Sequence, residues 1–141
     1  MRSIKLLLLC IAIGLTTTDF SCQKQTDDYH SYYTLNNKTT AAVYSAWSFD
    51  SAMVGSEYPP ALSPPTFKCE ANSSRNYGYR GSSFEYNLNN PPASHLYIYV
   101  FDAGVLETTQ WDTVRKYHMY LARYQYSKTQ MDSLNWTINF L

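Results

Sequence analysis

The sequence predicts a mainly β protein that folds as a single antiparallel β-sandwich-like domain with two short helices near its C-terminus. Aromatic residues make up 16% of the chain, with Tyr alone contributing 14, and charged residues make up only 16%. Such a composition favours strands. Several segments have side chains that alternate between two faces, and these segments are bounded by Pro, Gly and Asn. They predict about six or seven strands. One domain is expected because about 120 residues follow the predicted leader.

The first half of this domain contains three strand patterns. Residues 32–35 predict a short strand that is closed by an Asn-Asn-Lys turn. Residues 41–49 alternate between two faces and predict the second strand. Two Pro-Pro pairs remove backbone donors from residues 50–66, which are therefore predicted to form a long loop. Residues 67–70 follow as a short strand.

The middle of the chain combines a loop with the most apolar strand. Gly, Ser and Asn predict a loop over residues 72–81, and alternation predicts a strand over 83–88 that ends at the Pro-containing segment 89–94. Residues 95–101 are apolar on both faces, which is typical of a central strand. A turn is expected over residues 102–104.

The last third is predicted to contain both helices. Residues 109–112 read Thr-Gln-Trp-Asp and fit a capping box, so a short helix is expected to extend to about residue 117. Residues 117–126 predict a strand. A second capping box, Ser-Lys-Thr-Gln over residues 127–130, opens the second helix. Residues 136–140 alternate strictly and predict the final strand.

The N-terminus has the pattern of a lipoprotein leader. Arg2 and Lys5 supply a basic segment, and Leu6–Leu15 supplies an apolar run of secretory length. This run is too short to span a bilayer. Cys22 follows the small residue Ser21, at the place where lipoprotein maturation cleaves the chain and attaches a lipid. The sequence therefore predicts lipidation of Cys22 and a membrane partner contacted through that anchor.

This prediction divides the chain into three parts. Residues 1–21 form the signal peptide, residues 22–31 form the lipidated N-terminus and tether, and residues 32–141 form the β-rich domain. A plain secretory signal is the alternative, since Asp19 occupies a position where lipoprotein signals usually carry Leu. With Cys22 acylated, Cys69 has no partner for an intrachain disulfide in the mature domain.

Several segments resemble a family of small Bacteroidota lipoproteins. The resemblance rests on Leu96–Asp102, Trp111–Lys116 and Leu134–Ile138 in this order, together with the leader. It implies a cell-envelope protein anchored in the bacterial outer membrane, and it assigns no active site. Asp27-Asp28 resembles the acidic export signal of such proteins, and whether the domain faces the periplasm or the cell surface is left open.

The chemistry-bearing residues are sparse and scattered. Eleven Lys and Arg balance eleven Asp and Glu, without a basic stripe, so nucleic acid is not an expected partner. His30, His95 and His118 form no metal-ligand spacing. The chain has neither a G-x-S-x-G motif nor a phosphate loop, and the lone Cys69 is expected to be a small core residue. The sequence predicts no enzyme, no metal and no cofactor.

The predicted function is a non-catalytic binding or interaction module with a protein or glycan partner. Tyr77, Tyr79 and Tyr86 are candidate glycan contacts, because neighbouring Asn amides and flat apolar rings suit sugars. The alternative is that these tyrosines simply cover a β surface. Ser51 is a candidate O-glycosylation site, because Asp50-Ser51-Ala52 resembles the Asp-Ser/Thr-aliphatic acceptor pattern of these bacteria and lies in a predicted loop.

Overall fold

The computed structural model describes residues 30–51, 67–78, 83–90 and 92–141. Within these residues strand accounts for 39% and helix for 27%, which confirms the mainly β class. In chain order the elements are β1 Tyr32–Asn37, β2 Val43–Ser48, β3 Lys68–Cys69, β4 Ser73–Gly78, α1 Phe84–Asn89, β5 Leu96–Asp102, α2 Ala103–Thr108, α3 Trp111–Lys116, β6 Ala122–Tyr126, α4 Lys128–Ser133 and β7 Thr137–Phe140.

The strands form two sheets, consistent with a β-sandwich-like domain. The three-stranded sheet has the order β4-β1-β7, and the four-stranded sheet has the order β3-β2-β5-β6. The four-stranded sheet is antiparallel throughout. In the other sheet β1 pairs with β4 antiparallel and with β7 parallel. A parallel pair needs a long crossover, and the chain between β1 and β7 contains most of the domain.

The main core lies between the two sheets. Alternate side chains of β1, β5 and β7 point into it, as Leu35, Ile98 and Ile138 illustrate, and all three are fully or almost fully buried. A second cluster covers the opposite face of the four-stranded sheet, where α2 and α3 contribute Leu106 and Val114. β5 is thus buried on both faces, which confirms the central strand that its apolar composition predicts.

The strand predicted over residues 83–88 is wrong, because this segment forms α1. The Ser83 hydroxyl accepts a hydrogen bond from the backbone N–H of Tyr86, which caps the helix. Phe84 and Leu88 are four residues apart, so a helix brings them to one face. Both pack in the main core. Alternation over so few residues fits either element.

The loop predicted over residues 72–81 is also wrong for its first part, where β4 runs from Ser73 to Gly78. β4 pairs with β1 along six residue pairs, and this pairing overrides the weak strand propensity of Ser, Asn and Gly. Asn72 turns the chain into β4 with φ 53, a left-handed conformation that Asn tolerates better than most residues.

The C-terminal region has one more helix than the two predicted there. The turn predicted at residues 102–104 begins α2, because the Asp102 carboxylate accepts a hydrogen bond from the Val105 N–H. Thr109 ends α2, and so the capping box predicted at this residue does not form. α3 begins instead at Trp111, after Gln110, which makes no side-chain cap bond.

The second predicted capping box is confirmed. The Gln130 N–H donates to the Ser127 hydroxyl, and the Ser127 N–H donates to the Gln130 side chain. The strand predicted over residues 117–126 is shorter and begins at Ala122. Across the described segments, every helix is too short or too polar to traverse a bilayer.

Candidate functional site

The structure changes the predicted glycan-contact residues. Tyr77 is 1% exposed, and its ring stacks on Tyr33 with centroids 5.4 Å apart. Its hydroxyl donates to the backbone oxygen of Phe67 at 2.9 Å. Tyr77 is therefore a core residue, and its prediction as a glycan contact is wrong, because β4 directs this side chain into the main core between the sheets. Tyr86 is exposed on α1. Tyr79 lies outside the described residues.

Of the remaining predicted residues, the structure describes Ser51, which is exposed, and Cys69, which is buried. Cys22 lies outside the described residues. Ser51 is exposed beyond β2, and its backbone oxygen accepts a hydrogen bond from the Tyr99 hydroxyl at 2.9 Å. Its glycosylation stays a prediction. Cys69 is a free, buried thiol whose sulfur lies 3.5 Å from the backbone oxygen of Ser73.

The three histidines have different environments. His30 bonds to Glu85, whereas His95 contacts the neighbouring Ser94 hydroxyl at 2.9 Å. His118 lies after α3 with φ 50. In the described part of the chain, no group of three or more His, Cys, Asp or Glu is placed to hold a metal ion.

The outer face of the three-stranded sheet brings polar residues together from all three strands. The alternate, inward residues of β1 and β7 are buried, and on β4 the inward Tyr77 is buried as well, so strand alternation directs the side chains between them outwards. We call this surface the polar face; its side chains are Tyr32, Thr34, Asn36, Ser74, Asn76, Thr137 and Asn139. In one row across the sheet, Thr34 lies between Asn76 and Thr137.

Hydrogen bonds link side chains across the strands of the polar face. The Thr34 hydroxyl donates to Asn76 Oδ1 at 2.9 Å. In the next row, Asn36 Oδ1 accepts from the Ser74 hydroxyl at 2.6 Å, and Asn36 Nδ2 donates to Asn139 Oδ1 at 3.1 Å. These bonds hold the central amide and both marginal amide oxygens in defined orientations.

The polar face is uncharged and has a single aromatic ring. Tyr32 is 50% exposed, and its cross-strand partner is Gly78, which places no side chain beside it on the β4 side. Asn is depleted in strands, where β-branched and aromatic residues are favoured. Three outward Asn on three adjacent strands therefore form a surface that strand propensity does not explain.

A second cluster fixes the beginning of the described chain; we call it the N-terminal clamp, and it consists of His30, Glu85, Asp132 and Trp136. The Glu85 carboxylate, 2% exposed, accepts the His30 backbone N–H at 2.8 and 2.7 Å, and its Oε1 lies 2.5 Å from His30 Nδ1. The His30 ring stacks on Trp136 at 4.8 Å. The clamp thus holds His30, which the sequence assigns to the tether, against the domain.

Trp136 is the strained member of the clamp. It has φ 52, which is unusual for a bulky residue. Its indole N–H donates to Asp132, and the Lys128 ammonium donates to the same carboxylate. The bond from Lys128 lowers the pKa of Asp132. Packing of the buried indole and its hydrogen bond to Asp132 hold the strained backbone of Trp136 in place.

A third polar cluster lies at the second core, away from the polar face. Tyr44 and Lys68 both donate to Glu107 Oε1, at 2.9 and 2.8 Å. The bond from Lys68, followed by the bond from Tyr44, lowers the pKa of Glu107. The three groups satisfy one another, and so this cluster ties β2 and β3 to α2.

We expect two buried tyrosines, Tyr33 and Tyr77, to make the folded protein less stable at alkaline pH. Burial raises the pKa of Tyr33 and of Tyr77 above the usual value, although the bond with Ser45 lowers that of Tyr33. In the unfolded chain both ionise near pH ~10, while in the folded protein they stay protonated. The unfolded state then binds fewer protons, so stability is complete below pH ~10 and falls above it.

Urea unfolding measured from pH 8 to 11, followed by circular dichroism, checks this expectation. Replacing Tyr33→Phe should reduce the slope of unfolding free energy above pH ~10 by about 1.4 kcal/mol per pH unit. A free energy that stays constant up to pH 11 in the wild type would contradict the prediction.

Comparisons with known proteins provide no relative. No family model, curated protein or solved structure matches this chain. The resemblance to small Bacteroidota lipoproteins is therefore still a prediction from the sequence. Function has to be argued from the polar face, the N-terminal clamp and the leader pattern.

Proposed function

We propose that this chain is a non-catalytic binding or interaction module of the bacterial cell envelope, held at the outer membrane by a lipid on Cys22. The leader pattern and the resemblance to small Bacteroidota lipoproteins support the anchor. The absence of nucleophile and phosphate-loop motifs from the sequence favours binding over catalysis. The proposed contact with a partner is made by the folded domain, and the contact with the membrane by the lipid.

The observation that carries this proposal is the position of the N-terminal clamp. Cys22 precedes His30 by eight residues (30 − 22 = 8), and His30 is already bonded to the buried Glu85. Eight residues span at most about 28 Å when fully extended. A lipid on Cys22 would therefore keep the domain close to the membrane surface, with the tether joined to it at a fixed place.

Replacement of Cys22→Ala tests the anchor in the native host. The wild type should incorporate an alkyne-labelled fatty acid and partition into the detergent phase of Triton X-114. The variant should lose both properties, because the thiol is the acylation site. Intact mass of the purified wild type should show the chain from Cys22 onwards plus the lipid.

Cys10→Ala is the matched control. It removes the other leader cysteine while keeping the apolar run, so labelling and partitioning should equal those of the wild type. Equal labelling of the Cys22→Ala variant and the wild type would refute the anchor. So would a mature mass that starts elsewhere or lacks lipid.

A further inference from the structure

We propose that the polar face of the three-stranded sheet binds a neutral carbohydrate. This inference rests on the proposed binding function and names its ligand class and surface. It assigns the contact to Tyr32, Asn36, Asn76 and Asn139, which replace the buried Tyr77 as the residues that would meet a sugar.

The amides of the polar face have hydrogen-bonding groups that suit sugar hydroxyls. Asn76 and Asn139 use their amide oxygens to accept from neighbouring side chains. Within the described residues, the Nδ2 groups of both amides have no hydrogen-bond partner. Each side chain therefore presents fixed donors at a margin of the face, and fixed groups lose little conformational entropy on binding. Sugar hydroxyls accept from amide N–H groups and donate to amide and hydroxyl oxygens.

Charge and polarity distinguish carbohydrate from other ligands. None of the side chains of the polar face is ionised, whereas recognition of carboxylate or phosphate typically uses Arg or Lys. The centre of a protein interface is enriched in aromatic residues, Met and Arg. Here Tyr32 is the one large apolar group among amides and hydroxyls. An uncharged, hydroxyl-rich ligand is the complement of this surface.

Tyr32 and the dimensions of the face indicate an oligosaccharide. The Tyr32 ring, half exposed beside Gly78, offers an apolar surface for the C–H groups of a sugar ring. Three strands span about 10 Å across the sheet, and Tyr32 and Asn36 lie about 13 Å apart along β1. This area extends beyond one sugar ring and accommodates a short chain.

Affinity electrophoresis of the full mature protein in native gels tests the inference. The probes are neutral polysaccharides (starch, mannan, xylan and a mixed-linkage β-glucan), compared with the acidic polygalacturonate. At least one neutral probe should retard the wild type. Tyr32→Ala and Asn76→Ala should each weaken the apparent affinity roughly tenfold, by loss of the ring contact or of one amide.

Tyr117→Ala is the matched control, because Tyr117 is an exposed tyrosine at the end of α3 and not on the polar face. It should bind like the wild type. Urea unfolding of every variant shows whether the fold is retained, and Asn76→Ala remains informative if Tyr32→Ala unfolds. The inference is overturned if no neutral probe retards the wild type, if only polygalacturonate does, or if folded Tyr32→Ala and Asn76→Ala bind unchanged.

The proposals of a lipid anchor and of a carbohydrate site can be refuted independently. Cys22→Ala should retain polysaccharide retardation even though it loses the lipid, because the polar face is formed within the domain. If the wild type carries the lipid but no neutral polysaccharide retards it, the carbohydrate site is refuted and the anchor is retained. If the wild type is retarded but carries no lipid, the anchor is refuted and the carbohydrate site is retained.

Discussion

Replacing Phe84→Ala should lower the free energy of unfolding by about 3–5 kcal/mol. The Phe84 ring is completely buried, with its centroid 5.1 Å from that of Trp47 and 5.9 Å from that of Trp136. Alanine would leave a cavity lined by rings that cannot collapse into it without leaving their own contacts. Since small domains are stable by only about 5–15 kcal/mol, this single change removes much of the total.

Equilibrium unfolding in urea, followed by tryptophan fluorescence and circular dichroism, measures this loss. The control is Tyr86→Ala on the same helix, where the side chain is 59% exposed and the change should be below about 0.5 kcal/mol. Phe84→Leu fills part of the cavity and should fall between the two. Equal stability of Phe84→Ala and Tyr86→Ala would show that α1 does not pack as described.

The fold could be predicted where local pattern and burial agree. β5 is apolar at consecutive positions, and the structure buries both of its faces. The capping box at Ser127 was recognisable because it depends only on residues within one helical turn. These signals are local, so the sequence alone contains them.

α1 escaped prediction for a physical reason. Phe84, Tyr86 and Leu88 alternate with polar residues, and the same spacing places Phe84 and Leu88 together on a helix. Over six residues, periodicity does not separate the two structures. The Ser83 cap was the remaining signal, although the Glu at N3 that completes a capping box is absent, since Glu85 stands one position earlier.

The polar face could not be predicted from local pattern at all. Asn36, Asn76 and Asn139 are far apart in the chain, and they meet only because β1 pairs with both β4 and β7. Ser and Asn in β4 indicate a loop when taken locally. The sequence offers tyrosines with neighbouring Asn amides as candidate glycan contacts, whereas the pairing of strands decides which of these side chains reach the surface.

Replacing Glu85→Ala in the N-terminal clamp should also destabilise the fold strongly. Glu85 is 2% exposed, its carboxylate accepts the backbone N–H of His30, and its Oε1 lies 2.5 Å from the ring Nδ1 of His30. Without it, the His30 backbone N–H loses its acceptor, and alanine leaves an unfilled space where the buried side chain was. Hydrogen bonds to charged groups and buried ion pairs are among the costliest to break, so the free energy of unfolding should fall by about 3 kcal/mol.

Urea unfolding compares Glu85→Ala with Glu107→Ala, which removes a carboxylate that accepts bonds from two side chains but is 42% exposed. Glu107→Ala should lower the free energy of unfolding much less than Glu85→Ala does, because water can solvate the Tyr44 and Lys68 groups that lose their partner. Glu85→Gln keeps an acceptor oxygen and should be intermediate. Limited proteolysis should also cut Glu85→Ala faster near His30, since the chain entering the domain is no longer held. Wild-type stability and protection in Glu85→Ala would mean that the clamp does not fasten the tether to the domain.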